Sequence, residues 1–489
     1  YSAQTELETQ QLEVPANFTW QPLVFIASLP TNEEKFVWQT QGKEMYHSLV
    51  GSYITPPSWA VRYVSFTGDL IARTEEFICL IGPDNKVIRT RLILPESKPG
   101  ASLSQGEARG IALKALEEHL GVTPHHVKEV SAIAQECPAR KDWTFTFQDT
   151  RITLQQEGQA RISVLLAGDK VVNVRQFIFV PEQWLRNQQQ NDVYRGLITA
   201  LFALFKNLAV AFAAFALCRR YFASVDFKKA AYWALSLISA SVFTLWNTSS
   251  QFIALNAITS QPLTSQLFTF MSSQLVFIVL IGIGIAFLAS QINILCSGTS
   301  SWFSVKKTAV LGVSTQLFIT GIIQTLLYFL PRYMPYIPNY LPMNSYSTFL
   351  DILVGSIQPL ILAVCIPIIM VKAAAVITDE WTKNTYRGWA LLILFFIGDS
   401  FVAALYMQSA IFIAIICGLL TTCIYYLLFR KDPSGLLMTG ATQVASLILW
   451  NGIAHPYPHA FLQSLAIAIL IFGATFYWLV SIKRPVLKN

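Results

Sequence analysis

Residues 197–220 read LITALFALFKNLAVAFAAFALCRR, in which a single lysine interrupts 22 otherwise uncharged residues before two arginines follow. A membrane-spanning helix needs about 20 mainly apolar residues. The stretch therefore predicts a transmembrane helix that ends at a positively charged boundary.

Charge is divided unevenly on either side of Arg195. Residues 1–195 contain 41 of the 63 charged side chains, with a net charge of −3, whereas residues 196–489 contain 16 basic and 6 acidic side chains, with a net charge of +10. Only 13% of all residues are charged, against about 25% in soluble domains. Because the basic excess lies in short segments between apolar runs, it indicates membrane topology and not nucleic-acid binding.

Nine apolar segments of sufficient length follow one another along residues 195–489. They are 197–218, 230–247, 266–289, 308–330, 348–371, 388–406, 409–429, 435–453 and 460–482. The fold class predicted is a membrane α-helical bundle of about nine transmembrane helices, preceded by a soluble α+β domain.

Lysine and arginine occupy every second connection between these segments. If the first helix enters from outside, the inner segments contain fourteen basic residues: Arg219, Arg220, Lys228, Lys229, Lys306, Lys307, Lys372, Lys383, Arg387, Arg430, Lys431, Lys483, Arg484 and Lys488. The later outer loops contain only Arg332. The positive-inside rule then places the soluble domain outside and the C-terminus in the cytoplasm.

In a bacterium this orientation means an inner-membrane protein with a periplasmic domain. No export signal is visible at Tyr1, so we expect the natural start to lie further upstream. The outer segments 247–265, without charge, and 331–347, rich in Pro and Tyr, are expected to lie at the membrane interface.

The soluble half shows the same pattern twice. Residues 32–52 have helical character and precede strand candidates at 59–66, 77–82 and 86–94. A second helix at 104–121, with Ser104 and Glu107 in capping-box spacing and Gly121 as its stop, precedes strand candidates at 127–135, 143–149, 160–167 and 170–180. We predict an N-terminal extended segment, 1–31, and two units, 32–100 and 101–190, each with one helix covering an antiparallel sheet.

The second unit resembles a PepSY-type module, a small α+β fold of extracytoplasmic regions. Residues 92–116, 129–149 and 165–186, with the C-terminal stretches 430–442 and 454–470, resemble bacterial CAAX-protease-like (CPBP-type) membrane proteins. This resemblance implies a metalloprotease motif, EExxxR, together with FxxxH and a further histidine on membrane helices, where they hold a metal that activates water.

The motif implied by the resemblance is missing. The glutamate pairs 33–34, 75–76 and 117–118 all lie in the soluble half, and none is followed by arginine at the required position. The membrane half has one glutamate, Glu380, and two histidines. A glutamate and histidine site cannot be assembled there, so we expect a non-catalytic or catalytically degenerate protein without a cofactor.

Three ionisable side chains lie inside predicted spans, where such groups are costly: Lys206, Asp351 and Asp399. A rise of about 1.5 Å per residue puts Lys206 and Asp399 about 14 and 10 Å below the outer surface, so they can form an ion pair. The alternatives are polar contacts between helices, ion or proton translocation, and a Lys206 amine that extends outward. An aspartyl intramembrane protease would use Asp351 and Asp399, but its YD and GxGD motifs read LD and FIGD here.

Two further residue pairs are candidates for specific chemistry. His455 and His459 of HPYPH are weak metal-ligand candidates, because prolines exclude a helix and no further ligand lies nearby in the sequence. Cys79 and Cys137 are the two cysteines of the soluble half and can form a disulfide if that half is extracytoplasmic.

Two interpretations of function follow. The first is a non-enzymatic envelope protein that contacts the lipid bilayer and whose periplasmic domain binds or scaffolds a partner protein. The second is a CAAX-protease-like intramembrane peptidase or a small-solute or ion transporter. A transporter would show broken helices at matching places in two halves, and Pro359 and Pro367 mark only one kink.

Overall fold

A computed structural model of the chain describes residue 5 and residues 21–27, 31–82, 84–221, 226–296, 302–404, 409–455 and 459–483. The chain forms two compact units. The first contains the chain up to residue 189 together with residues 248–271 and 334–346. The second contains residues 190–247, 272–333 and 347–489.

The first unit is built on one eight-stranded antiparallel sheet. Its strands are β1 (Gln21–Ala27), β2 (Ser58–Val64), β3 (Glu76–Ile81), β4 (Val87–Ile93), β5 (Val127–Cys137), β6 (Arg140–Thr153), β7 (Gln159–Ala167) and β8 (Lys170–Phe179). The strand order is β1-β2-β3-β4-β8-β7-β6-β5. Two four-stranded meanders are therefore joined edge to edge, and Arg91 of β4 faces Asn173 of β8 at the junction. The prediction of an N-terminal domain of helices and antiparallel strands is confirmed; β1 lies in the segment predicted only as extended.

Three helices accompany the sheet: α1 (Asn32–Thr40), α2 (Gly42–Leu49) and α3 (Gln105–Leu120). The α3 helix has the capping box expected at Ser104 and Glu107, and Gly121 ends it in the left-handed conformation. The helix predicted at 32–52 is instead broken at Gly42, whose φ of 82° a residue with a side chain rarely adopts.

The helices cover the second meander. Phe36, Tyr46 and Leu116 from the three helices share one buried core with Phe145 and Ile162 of the second meander. A smaller core joins the first meander to Ala167 and Val172 of the second. The expectation that each helix covers its own sheet is therefore wrong, because the apolar faces of α1 and α2 pack with α3 over β6 to β8.

The remaining helices belong mostly to the second unit. They are α4 (Glu182–Tyr221), α5 (Phe227–Asn247), α6 (Ser249–Asn256), α7 (Leu263–Cys296), α8 (Trp302–Phe329), α9 (Thr348–Gly355), α10 (Ile357–Ile377), α11 (Thr385–Ala404), α12 (Ala410–Phe429), α13 (Leu436–Ala454) and α14 (Ala460–Lys483).

Within the described part of the chain, seven helical segments are long and apolar enough to cross a membrane: Glu182–Tyr221, Leu263–Ile292, Ser304–Phe329, Thr348–Ile377, Ala410–Phe429, Pro433–Ala454 and Ala460–Lys483. The chain is therefore a membrane protein with several candidate spans. The other two predicted spans coincide with α5 and α11. Within the described residues, neither helix meets the same criteria of length and apolar composition. Residues 405–406 of the predicted span 388–406 lie outside the described part of the chain.

Two connecting segments of the membrane half fold onto the sheet and form part of the first unit. The Ile26 N–H of edge strand β1 donates to Asn344 Oδ1 at 2.8 Å, and Ser250 Oγ donates to the Asn344 carbonyl at 2.8 Å. Arg62 of β2 donates to the Ala257 carbonyl at 3.0 Å while it pairs with Glu76. The described parts of segments 247–265 and 331–347 thus bind the soluble domain, in addition to any contact with lipid.

The α11 and α12 helices form a closely packed hairpin within the second unit. A Cβ added at Gly418 of α12 would lie 2.6 Å from the Ile397 Cα of α11, so only glycine permits this approach. Small residues commonly allow such contacts between membrane helices.

Candidate functional site

One ion pair of the second unit joins α4 and α11. Lys206 Nζ lies 3.4 Å from Asp399 Oδ1. Both side chains would be costly to place in hydrocarbon alone, and pairing reduces that cost. The pair is therefore the clearest candidate for a functional polar site among the described spans.

Close packing of the two helices positions the pair. A Cβ added at Gly398 would lie 2.9 Å from the Lys206 Cβ and 3.0 Å from the Phe202 carbonyl oxygen. The ring of Phe202, one turn before Lys206, stacks on the ring of Phe401, two residues after Asp399, with centroids 4.4 Å apart. The glycine beside Asp399 lets α4 come close enough for the lysine to reach the carboxylate.

The pair lies at the periphery of the bundle. The Lys206 and Asp399 side chains are 26% and 49% exposed, and α4 is the least buried of the seven candidate spans. A proton passing from the ammonium to the carboxylate would leave two neutral groups. The arrangement can thus contribute helix packing or proton exchange.

Asp351 has a different environment. It interacts with the Asn247 side chain of α5, which also holds Ser347 through two hydrogen bonds of 3.0 Å. Deeper in the same region, Gln358 donates to Ser241 Oγ at 2.8 Å. Because Asp351 and Asp399 have different partners, the geometry gives no support to an aspartyl dyad.

A second ion pair was not anticipated from the sequence. Lys483, at the end of α14, donates a short hydrogen bond to Asp432, which also accepts from Ser434 N and Oγ. Burial opposes ionisation of Asp432, but these hydrogen bonds hold its pKa below the ordinary value. The Asp-Pro-Ser sequence at 432–434 signals the helix cap, although nothing in it identifies the lysine 51 residues away.

A buried hydrogen-bonded group lies between α8 and α12. Tyr425 Oη donates to Gln316 Oε1 at 3.5 Å, and Gln316 Nε2 donates to Thr320 Oγ1 at 3.2 Å. Tyr425 and Gln316 are both buried. Such polar contacts hold membrane helices together without catalytic chemistry.

The remaining predicted site residues are the metal-ligand candidates His455 and His459. Among the described residues, no group of three or more His, Cys, Asp and Glu side chains could hold a metal. His455 ends α13 and His459 precedes α14; residues 456–458 lie outside the described part of the chain.

The proposed disulfide is wrong. Cys79 is a buried free thiol on β3, and Cys137 is a partly buried free thiol at the end of β5. These strands are five positions apart in the sheet, which at a spacing of about 4.8 Å separates them by roughly 24 Å. A disulfide requires Cα atoms less than about 7 Å apart.

A buried carboxylate in the sheet domain also escaped sequence reasoning. Glu34, in the first turn of α1, is 7% exposed, and its Oε2 has no hydrogen-bond partner among the described residues. Burial, with the adjacent Glu33 carboxylate, raises its pKa to about 7. By contrast, the buried Asp149 accepts hydrogen bonds from Tyr53 at 2.6 Å and from Arg151 at 2.7 Å.

No family model, curated protein or solved structure matches the chain. The CAAX-protease-like and PepSY-like resemblances therefore receive no support from these comparisons. Conclusions about function rest on the geometry alone.

A double-mutant cycle tests the coupling of Lys206 and Asp399. Asp399→Asn alone leaves the lysine without its counter-ion, so the melting temperature of the detergent-purified chain should fall. Lys206→Met alone should also lower it, and the double variant should recover part of the loss, with a coupling energy of about 0.5–3 kcal/mol. Thr244→Val, on α5, serves as a control that changes a polar group elsewhere. Strictly additive losses would rule out the pair as a coupled unit.

Glu34 predicts a pH dependence of stability. Its folded pKa of about 7 lies above the ordinary value of 4.5. Its contribution to the free energy of unfolding is therefore fully present below pH 4.5 and is lost as pH rises through 7. Glu34→Gln should therefore stabilise the sheet at pH 8 relative to the native chain by up to about 3 kcal/mol, and by little at pH 4. Hydrogen exchange of sheet amides measures the difference. Glu44→Gln, at an exposed position of α2, should show no such trend; an equal effect of both variants would contradict the assignment.

Proposed function

We propose that the chain is a non-catalytic protein of the bacterial inner membrane whose sheet domain, held in the periplasm, binds a partner protein. The supporting observation is that two connections between membrane helices fold onto the sheet through Asn344, Ser250 and Ala257. A domain attached only by its terminal helix needs no such contacts. Their presence favours a domain that is built jointly from the N-terminal part of the chain and two connections of the membrane half, which suits a binding role.

The same contacts support a count of nine membrane spans. The sheet domain precedes α4, and segment 248–271 follows α5, yet both belong to one unit. A chain can return to the same side of a bilayer only after an even number of crossings. If α4 crosses, as its apolar length indicates, then α5 must cross back.

The helical hairpin supplies the ninth span. The α12 helix is long and apolar enough to cross, and α11 packs antiparallel beside it, with Ile397 against Gly418 midway along both helices. A neighbour of similar length that packs along a spanning helix must itself lie at membrane depth. The resulting nine spans put every basic segment inside, in agreement with the positive-inside rule.

An exposed apolar pair supports partner binding by the domain. Leu70 and Ile71 follow β2 in a loop and are 60% and 62% exposed. Charged residues surround them, with Lys98 paired to Glu75 at 2.7 Å and Arg73 bonded to the Gly68 carbonyl at 2.8 Å. Exposed aliphatic side chains with a polar rim are typical of protein contact sites.

Ion or proton transport is the second candidate, because of the Lys206–Asp399 pair. A peptidase is less favoured, since the described residues contain no cluster with metal-ligand composition. The two candidates differ in what Asp399→Asn changes. A binding protein should lose stability alone, whereas a transporter should lose stability together with proton flux into liposomes that contain the protein.

Cysteine labelling tests the nine spans. In a cysteine-free background, Ser260→Cys and Ser409→Cys should react with a membrane-impermeant maleimide on intact spheroplasts, whereas Lys228→Cys and Lys383→Cys should react only after lysis. All four positions are exposed. Labelling of Lys228→Cys and Ser260→Cys from the same side would exclude α5 as a span, and the same result for Lys383→Cys and Ser409→Cys would exclude α11.

Photo-crosslinking in native membranes tests partner binding. A photoreactive amino acid at Ile71 should capture one protein species in a fixed ratio to the full-length chain, and Leu70→Glu should reduce the yield at least tenfold because it places a charge in the apolar contact. Lys86, in the β3–β4 turn and 83% exposed, is the matched control and should capture far less. An Ile71 probe that captures only lipid, or nothing, would overturn the proposal.

A further inference from the structure

The two edges of the sheet differ in how they are covered. Edge strand β1 donates its Ile26 N–H to Asn344. The opposite edge strand, β5, is 11 residues long and pairs only with β6 among the described residues. Exposed edge strands readily pair with another chain, and natural proteins usually protect them.

The centre of β5 lacks that protection. Helix α3 packs against β6, β7 and β8 and reaches β5 through an ion pair between Arg109 and Glu129, which lies outside residues 131–135. Residues 131–135 read SAIAQ, without charge or proline. Ile133, at the centre of this stretch, is 61% exposed. A large aliphatic side chain on an uncharged free edge indicates a surface that is covered in the assembled protein.

The turn at the end of β5 fixes which backbone groups face outward. A two-residue turn joins Cys137 to Arg140, and residues on either side of such a turn exchange hydrogen bonds. Hydrogen-bonded and non-hydrogen-bonded residue pairs then alternate along β5 and β6, so the backbone groups of Ile133 and Gln135 bond to β6. The N–H and C=O groups of Ala132 and Ala134 therefore point toward the free edge.

We propose that β5 pairs antiparallel with β5 of a second copy of this chain, with the two-fold axis at Ile133. In this register Ile133 faces Ile133 of the other copy, Ala132 faces Ala134, and Ser131 faces Gln135. The outward N–H and C=O groups of the alanines supply the hydrogen bonds. Reciprocal contacts of this kind are those of a two-fold dimer.

Self-complementarity favours a second copy over an unrelated strand. No charged residue faces one of like charge within the five central pairs, and the exposed isoleucine meets an identical one. The Ile133 pair is a non-hydrogen-bonded pair, in which the Cα atoms approach to about 4.5 Å. Both copies are anchored in one membrane, which keeps them at high local concentration.

Disulfide trapping tests the register in the full-length chain in native membranes. In a Cys137→Ser background, Ile133→Cys should give covalent dimer under mild oxidation. Co-expressed Ser131→Cys and Gln135→Cys should cross-link to each other more than either does to itself. Val24→Cys is the control, and the chain that carries it should remain monomeric. Val24 lies on the covered strand β1 and is 47% exposed. An Ile133→Cys chain that stays monomeric, or bonds to a different protein, would overturn the proposal.

A charge at the axis gives a second measurement. Ile133→Lys puts two ammonium groups opposite each other and should lower the fraction of chemically cross-linked dimer at least tenfold, whereas Ile133→Val should leave it within twofold. Unchanged dimer in Ile133→Lys would contradict the proposal. Ile133 is remote in sequence from the Leu70–Ile71 loop, so a probe at Ile71 should still capture its partner in Ile133→Lys. Failure of the dimer and failure of partner binding are therefore distinguishable.

Discussion

A chain that starts on one side of a bilayer can contact itself there again only after an even number of crossings. The hydrogen bonds from Ile26 to Asn344 and from Arg62 to Ala257 bring together segments separated by 318 and 195 residues. This constraint links the sheet domain to the topology of the bundle. It also explains how the edge strand β1 is partly protected: Asn344, in a loop of the membrane half, accepts a hydrogen bond from the Ile26 N–H.

Two lysines of the membrane half have acidic partners. Lys206 pairs with Asp399, and Lys483 pairs with Asp432, each across distant parts of the sequence. The uncharged polar groups, such as Gln316 and Tyr425, bond to each other.

Patterns that depend on near neighbours were predictable, and contacts between distant residues were not. The α3 helix shows its apolar face, its cap at Ser104 and its stop at Gly121 within 18 residues, and the structure has it at those bounds. The break at Gly42 was missed because glycine within a helical pattern is often tolerated. The Lys483–Asp432 pair and the burial of Glu34 depend on tertiary packing, which no local spacing encodes. The junction of the two meanders between β4 and β8 likewise joins strands that are remote in sequence.

The glycine contact between α11 and α12 has a consequence for biogenesis. Asp399 makes α11 a poor candidate to enter the lipid phase by itself, whereas α12 is strongly apolar. Only a few residues separate the two helices, and Gly418 lets them meet backbone to backbone. In the proposed nine-span topology, the translocation machinery can therefore release both helices into the bilayer together. The apolar α12 would then favour insertion of its acidic neighbour, and Lys206, which is synthesised earlier, would pair with the carboxylate.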